Sequence, residues 1–474
     1  MTSTLVSVEP GWSSVLPPLI AIALAIVSRQ VLLSLLAGIW LGWWLLGSGN
    51  PLTALADGVD GIVGVLGNAG DARVIGFTLV IGAMIATIER TGGVRGFVGW
   101  LERRAWVTSP RRAEWLAWLT GIVIFIESNL TLLVAGAVSR PLFDRLRISR
   151  ERLAYIIDST SAPVCILIPL NAWGAFNLGL LSGTGLSDPL NTFVRAIPLN
   201  FYSILAVALA AAVIAGGWNF GAMARAEART REGRLLWPDA APMMDPSLLG
   251  SDAAATSGPG FMLVPIAVLV AMVPVGLYVT GDGDLAAGSG STSVLWAVLA
   301  GLATAWAMAL GGQRRRLAEL MDVSLKGAGG LLPVALILLL ALALGDVTDT
   351  LGTGVFLSRV VSDNVPLALL PALVFLVSGF TAFAIGSSWG TFAIMIPVAI
   401  PIALTLGAEP AVLLGAVLSG AVFGDHASPI SDTTVVASMA AATDHIDHVR
   451  TQLPYALLAG ALALLGYLAI GLTL

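Results

Sequence analysis

The chain has 474 residues, 57% hydrophobic and 11% charged, with a net charge of -5 and a mean hydropathy of +0.90. This balance excludes a water-soluble domain and a nucleic-acid partner, and gives an all-α polytopic membrane protein with the lipid bilayer as its surroundings. A β-barrel would need alternating segments of about 10 residues rather than continuous apolar runs of about 20. The one cysteine, Cys165, rules out an intrachain disulfide. No cofactor and no catalytic residue are expected.

Met1 to Trp12 carry no basic n-region, so no cleavable signal peptide is expected and the first apolar run is retained. Apolar runs fall at about 14–28, 31–47, 74–89, 113–138, 153–176, 196–217, 260–280, 293–311, 328–345, 366–407, 411–440 and 453–473. Arginines collect between them, at Arg103 to Arg112, Arg140 to Arg152, Arg225 to Arg234 and Arg314 to Arg316. The positive-inside rule places these loops in the cytoplasm.

The run 113–139 has basic residues at both ends and should therefore begin and end on one side, as a re-entrant hairpin. Its polar tip would be Glu127, Ser128, Asn129, Leu130 and Thr131. One long tilted helix with a paired glutamate is the alternative. Next comes a span interrupted by Asp158, Ser159, Thr160, Ser161, Ala162 and Pro163. Residues 219–259, rich in Ala, Arg, Asp and Pro, read as a flexible cytoplasmic linker between a first half, 1–218, and a second, 260–474.

In the second half the apolar stretch 366–407 has Gly386, Ser387, Ser388, Trp389, Gly390 and Thr391 at its middle and reads as a second hairpin, entering from outside. A further broken span holds Gly424, Asp425, His426, Ala427, Ser428, Pro429, Ile430, Ser431, Asp432, Thr433 and Thr434. Proline there opposes a continuous helix and leaves carbonyls free to coordinate a cation. A polar surface loop is the blander alternative. Asp444 to Arg450 read as a solvated, charged entry to the last helix, with His445 and His448 at the membrane edge.

The halves match in kind: three spans, a hairpin with a polar tip, a broken span and a last span, in opposite orientations. The fold expected is two inverted-topology repeats, each with a re-entrant hairpin and a broken transmembrane helix. Ionisable groups at membrane depth cost at least about 2.5 to 3.5 kcal/mol and mark ion paths. Asp158 and Asp425 are the candidate cation ligands, and each would hold a proton or a metal ion in turn, which is the requirement for antiport. Ser159, Thr160, Ser161, Ser428, Ser431, Asp432 and Thr433 would complete the shell, with Ser387, Ser388 and Thr391 facing it. Asn129 lies at the first tip. Glu127 and His426 are candidate proton relays, and Glu127 is alternatively a partner for Asn171. Ser161 and Ser428, each three residues after its aspartate, would be neutral ligands of one shared ion.

The motif from Phe423 to Thr433, the stretch Asp444 to Tyr455, Arg140-Pro141-Leu142 with Ile148 to Tyr155, and Asp158 to Pro163 resemble the NhaC-type sodium/proton antiporters of the ion transporter superfamily. The resemblance implies a multi-pass secondary transporter of a bacterial or archaeal plasma membrane, with scaffold and transport regions, a homodimer, and exchange of Na⁺ for H⁺. Members of the superfamily also exchange dicarboxylates or carry amino acids, so a cation- or proton-coupled carrier of a small organic solute is the second reading. A remote third is an intramembrane aspartyl protease, on Tyr155 to Asp158 and Leu344-Gly345-Asp346.

Overall fold

The computed structural model describes residues 11–473 except 29, 48–49, 94–95, 98–99, 101–108, 126–127, 170, 243–256, 284–287, 354, 357–358 and 361–365, with the side chains at 25, 26, 31, 74, 130, 137 and 432 also outside the description. The secondary structure of the described residues is helical, apart from one isolated bridge between Pro242 and Asp444. In the first half the helices are α1 (Trp12–Ser28), α2 (Val31–Leu46), α3 (Pro51–Gly67), α4 (Ala69–Arg90), α5 (Pro110–Val123), α6 (Ser128–Leu146), α7 (Arg150–Ser159), α8 (Ala162–Leu167), α9 (Ala172–Ser182), α10 (Pro189–Ala196) and α11 (Phe201–Gly216). A connecting helix, α12 (Gly221–Arg231), follows. The second half has α13 (Gly260–Thr280), α14 (Gly290–Gln313), α15 (Leu317–Gly330), α16 (Leu332–Thr350), α17 (Leu370–Ile385), α18 (Ser388–Leu406), α19 (Pro410–Ala427), α20 (Asp432–Ala441) and α21 (His445–Gly471).

Eight of these are long and apolar enough to cross a membrane, and eleven spans result if each of three bent pairs counts as one. The chain is a multi-pass membrane protein. Helices α1 to α4 and α13 to α16 pack mainly on one another, while α5 to α8, α10, α11 and α17 to α21 form a second group, with α9 between the two and packed most on α4. In α19, 89% of the apolar window lies inside the protein, against 28% in α13, so α19 is enclosed by protein and α13 turns most of its surface outward.

Local chemistry sets the breaks. Ser149, Asn171, Ser387, Ser431 and Asp444 each cap the helix that follows by accepting a backbone N–H, the role for which Ser, Asn and Asp are favoured. Helix α19 stops at Ala427 because Pro429, two residues on, has no N–H to continue it. Helix α17 stops at Gly386, whose φ of 74° lies in the left-handed region; a Cβ there would sit 2.5 Å from the Ile430 carbonyl oxygen. That contact seats the α17–α18 joint against the break between α19 and α20. In the first half Gly121 of α5 does the same against Thr160, whose hydroxyl would lie 2.0 Å from a Cβ at that position.

The two sets of elements cross. Helices α5 and α6 pack on α7 and α6 also packs on α20; α17 and α18 pack on α19 and α18 also packs on α9. Helix α11 packs on α19 and α21 packs on α7, and α11 and α21 pack on each other.

Three sequence expectations change. The hydropathy pattern shows no apolar run between 31–47 and 74–89, yet α3 occupies that stretch, bent 117° from α2; its two aspartates, Asp57 and Asp60, and its glycines mask an outward face of Leu52, Leu55, Val59 and Val63. The first broken span has a second interruption between α8 and α9, where Asn171 donates to the carbonyls of Phe125 and Cys165, both at 2.8 Å. Flexibility does not hold for the start of the linker, since α12 is packed. Arg229 makes a bidentate pair with Glu151 at 2.8 and 2.9 Å, both side chains buried, and stacks over Trp237.

Candidate functional site

Asp425 occupies the last turn of α19, 1% exposed. Ser388, the first residue of α18, donates to its Oδ2 at 2.9 Å, and Ser431, from the far side of the break, donates to its Oδ1. Thr433 Oγ1 lies 3.0 Å from Ser431 Oγ, extending the line of hydroxyls. Two elements therefore deliver hydroxyls to one buried carboxylate, the start of α18 and the break, and the start of α20 backs the second through Thr433. The glycine contact at Gly386 fixes the first of these relative to the second.

Asp158 lies at the end of α7, completely buried, and its neighbours carry nitrogen. Gln452 Nε2 donates to its Oδ2 at 2.7 Å and His448 Nε2 lies 3.3 Å from the same oxygen. His426 Nε2 is 3.8 Å away. His426 bridges the two aspartates in sequence and in space: its Nδ1 meets the Tyr202 hydroxyl at 2.6 Å, its Nε2 lies 3.5 Å from Ser159 Oγ, and its carbonyl accepts from Gln452 at 2.7 Å. Tyr202 belongs to α11, so the last helix of each half reaches the broken helix of the other.

The remaining expected residues have local partners. Thr160 donates back to Ile156, Ser161 to the carbonyl of Asp158 at 2.9 Å, and Ser428 to the carbonyl of Phe383 at 2.8 Å. Ser387 caps α18 through Gly390 N and accepts from Thr391 through its own carbonyl. Asn129 lies in the first turn of α6, its Oδ1 buried and without a hydrogen-bond partner among the described residues. Glu127 and the side chain of Asp432 lie outside the described residues. Trp389 packs on Trp173 and Phe176, ring centroids 4.9 and 4.8 Å apart, and so anchors the start of α18 to α9.

Two sequence readings are corrected. Of the carbonyls at the break, expected to be free for a cation, that of Pro429 lies 2.7 Å from His445 Nε2, and those of Ser428 and Ser431 accept from Thr434. The helix entry at 444–450 is not simply solvated, for His448 is fully buried against Asp158. The sequence places His448 at the membrane edge, carries Gln452 only within the stretch Asp444 to Tyr455, and gives Tyr202 no role. Four residues separate His448 from Gln452, which places both on one helical face, and that face continues to Tyr455 and the apolar end of α21. Polar residues at helical spacing ahead of a buried tyrosine are the signal that was available.

A sequence profile described as the Na⁺/H⁺ antiporter family matches residues 164–472. An uncharacterized protein of Haemophilus influenzae is 32% identical over 97% of this chain and 91% of its own length. The arginine/ornithine antiporter ArcD of Halobacterium salinarum is 31% identical over 45% of this chain and 42% of its own, and the Na⁺/H⁺ antiporter NhaC of Alkalihalophilus pseudofirmus is 43% identical over 16% and 15%. In fold the chain is similar to the Alcanivorax borkumensis YdaH transporter, with a TM-score of 0.57 at 17% identity over 88% of both chains. Together with a helical membrane fold that buries two carboxylates at helix breaks, the match over most of the chain identifies this protein as a member of the Na⁺/H⁺ antiporter family.

Proposed function

We propose that this chain is a secondary active transporter that exchanges a small cation, Na⁺ foremost, for H⁺ by alternating access across the plasma membrane of a bacterium or archaeon. The observation that carries the reading is Asp425: a fully enclosed carboxylate at a helix break, each oxygen held by a serine hydroxyl from a different element. A carboxylate at that depth needs a positive partner, and a proton and a metal cation compete for the one place. Cation arrival on one side releases the proton there, and the reverse on the other side completes exchange. Serine and threonine oxygens replace part of the cation's hydration without binding so firmly that release fails.

For the architecture we adopt two inverted repeats, 1–218 and 260–474, joined by a cytoplasmic segment, with α5–α6 and α17–α18 as re-entrant hairpins. The exchanged packing of α6 on α20 and α18 on α9, and of α11 on α19 and α21 on α7, supports this reading. Helices α1 to α4 and α13 to α16 would be the scaffold. Gathering of Ser109, Arg111, Arg147, Arg152 and Arg231 around one cavity of about 670 Å³ supports a common cytoplasmic side for those arginines.

The test uses proteoliposomes with an internal pH dye, challenged in turn with Na⁺, Li⁺ and K⁺. A pH change driven by Na⁺ or Li⁺ is expected. Because ArcD is named for arginine and ornithine, and a malate/lactate antiporter of Bacillus subtilis is 41% identical over 18% of this chain, those four solutes form the second set of challenges. Solute-driven flux with no cation-driven proton movement would replace the proposal by the organic-solute reading.

A further inference from the structure

Asp425 has a hydroxyl on each oxygen, whereas Asp158 does not. Three buried polar atoms around Asp158 have no hydrogen-bond partner among the described residues: Asp158 Oδ1, Gln452 Oε1 and His448 Nδ1. Native proteins leave few such atoms unpaired, and here His448 and Gln452 both touch Asp158 through its other oxygen.

The orientation of the Gln452 amide is dictated by its surroundings. Both of its N–H groups are used, on Asp158 Oδ2 and on the His426 carbonyl, each at 2.7 Å. Turning the amide over would set Oε1 against two acceptors, so the carbonyl end must point away from both. Gln452 is 1% exposed and Asp158 is fully buried. One charged and one neutral oxygen, from α7 and α21, are thus left free on two buried side chains joined by a hydrogen bond.

We propose that Gln452 is a cation ligand, its Oε1 acting with Asp158 Oδ1 to bind the transported ion as a second station beside the Asp425 hydroxyls. One carboxylate and one amide oxygen balance a single positive charge with hard oxygen donors, which suits Na⁺ or Li⁺ and leaves a divalent ion undercompensated. This inference rests on the cation-exchange reading.

The experiment titrates the purified full chain in detergent with NaCl against choline chloride at constant ionic strength, reading heat of binding and the Na⁺-induced rise in Tm. The wild type should bind Na⁺ saturably. Gln452→Ala should weaken the apparent Kd at least tenfold and remove the Na⁺-induced rise, whatever its starting Tm. Gln452→Glu keeps an oxygen in place and adds a charge, so it should shift preference from Na⁺ toward Ca²⁺ by tenfold or more. Wild-type Na⁺ response in Gln452→Ala, as expected if water alone fills the space, would overturn the assignment. If Gln452→Ala fails to fold, an unchanged Na⁺ to Ca²⁺ preference in Gln452→Glu overturns it equally. No Na⁺ response in the wild type would instead bring down the exchange reading itself.

Discussion

Asp158 and Asp425 each lie at the end of a helix that stops at a break, yet one carboxylate is surrounded by nitrogen and the other by hydroxyls. Asp425 takes its partners from Ser388 and Ser431, while Asp158 takes Gln452 and His448 from α21 and lies near His426. They are also supported differently. The helix of Asp158 is gripped at its other end by buried ion pairs, Glu151 with Arg229 and Arg152 with Glu114. The break after Asp425 is positioned by close backbone contact at Gly386. Similar placement at a helix break therefore does not require similar chemistry around the carboxylate.

The sharpest way to break that comparison is at the hydroxyl-lined end. Asp425→Asn preserves shape, and Ser388 and Ser431 can rotate to suit an amide, so the protein should fold and express as the wild type does. It removes the charge, and the rate of cation-driven proton movement in proteoliposomes should fall at least about 100-fold, equivalent to a barrier higher by about 2.7 kcal/mol or more. Normal exchange by this variant would detach Asp425 from the function.

Next in size are the supports. Glu151→Ala leaves the Arg229 guanidinium buried without its carboxylate, and breaking a buried pair in this way costs about 3 to 5 kcal/mol of stability. Thermal unfolding in detergent should show a large fall in Tm, with residual exchange in the fraction that remains folded. Gly386→Ala forces a side chain into the left-handed region, about 1 to 2 kcal/mol, and adds a clash with a backbone carbonyl that cannot turn aside. Gly121→Ala meets chiefly a threonine side chain and keeps ordinary helical geometry, so its loss of stability should be the smaller. A Gly121→Ala protein less stable than Gly386→Ala would show that the first break, not the second, is held by close backbone contact.

Much of the architecture could be read from the letters because membrane helices announce themselves by length and hydropathy, and because Pro429 and Gly386 dictate breaks locally. Asp425 with Ser388 and Ser431 was within reach for the same reason: two polar tips inside apolar runs have few places to go. His448 and Gln452 were hidden because they follow Asp444 and Asp447, and a charged helix start reads as a solvated one. Only tertiary packing, α21 laid along α7, turns that face toward Asp158. The buried pair of Arg229 and Glu151 was equally illegible, since its partners are 78 residues apart and the arginine sits in a segment whose composition resembles a linker.

The smallest expected effect concerns Ser161 and Ser428. Their identical spacing from Asp158 and Asp425 makes them look like paired ligands of one ion, and two ligands in one shell would couple rather than add. The hydrogen bonds point each serine to a different task. Ser161 Oγ donates to the carbonyl of Asp158 and so closes the end of α7, and Ser428 Oγ donates to the carbonyl of Phe383 and so ties the α19 break to α17. They have no partner in common, and each such bond contributes about 1 kcal/mol net. Ser161→Ala and Ser428→Ala should therefore each lower stability by about that amount, with apparent cation KM raised a few-fold at most, and the double variant should equal the sum. A double variant that departs from the sum, with KM rather than Tm carrying the excess, would show that the lone pairs of both serines meet at one ion. The two breaks would then act as a single site, and the division between hydroxyl and nitrogen surroundings would describe its two walls.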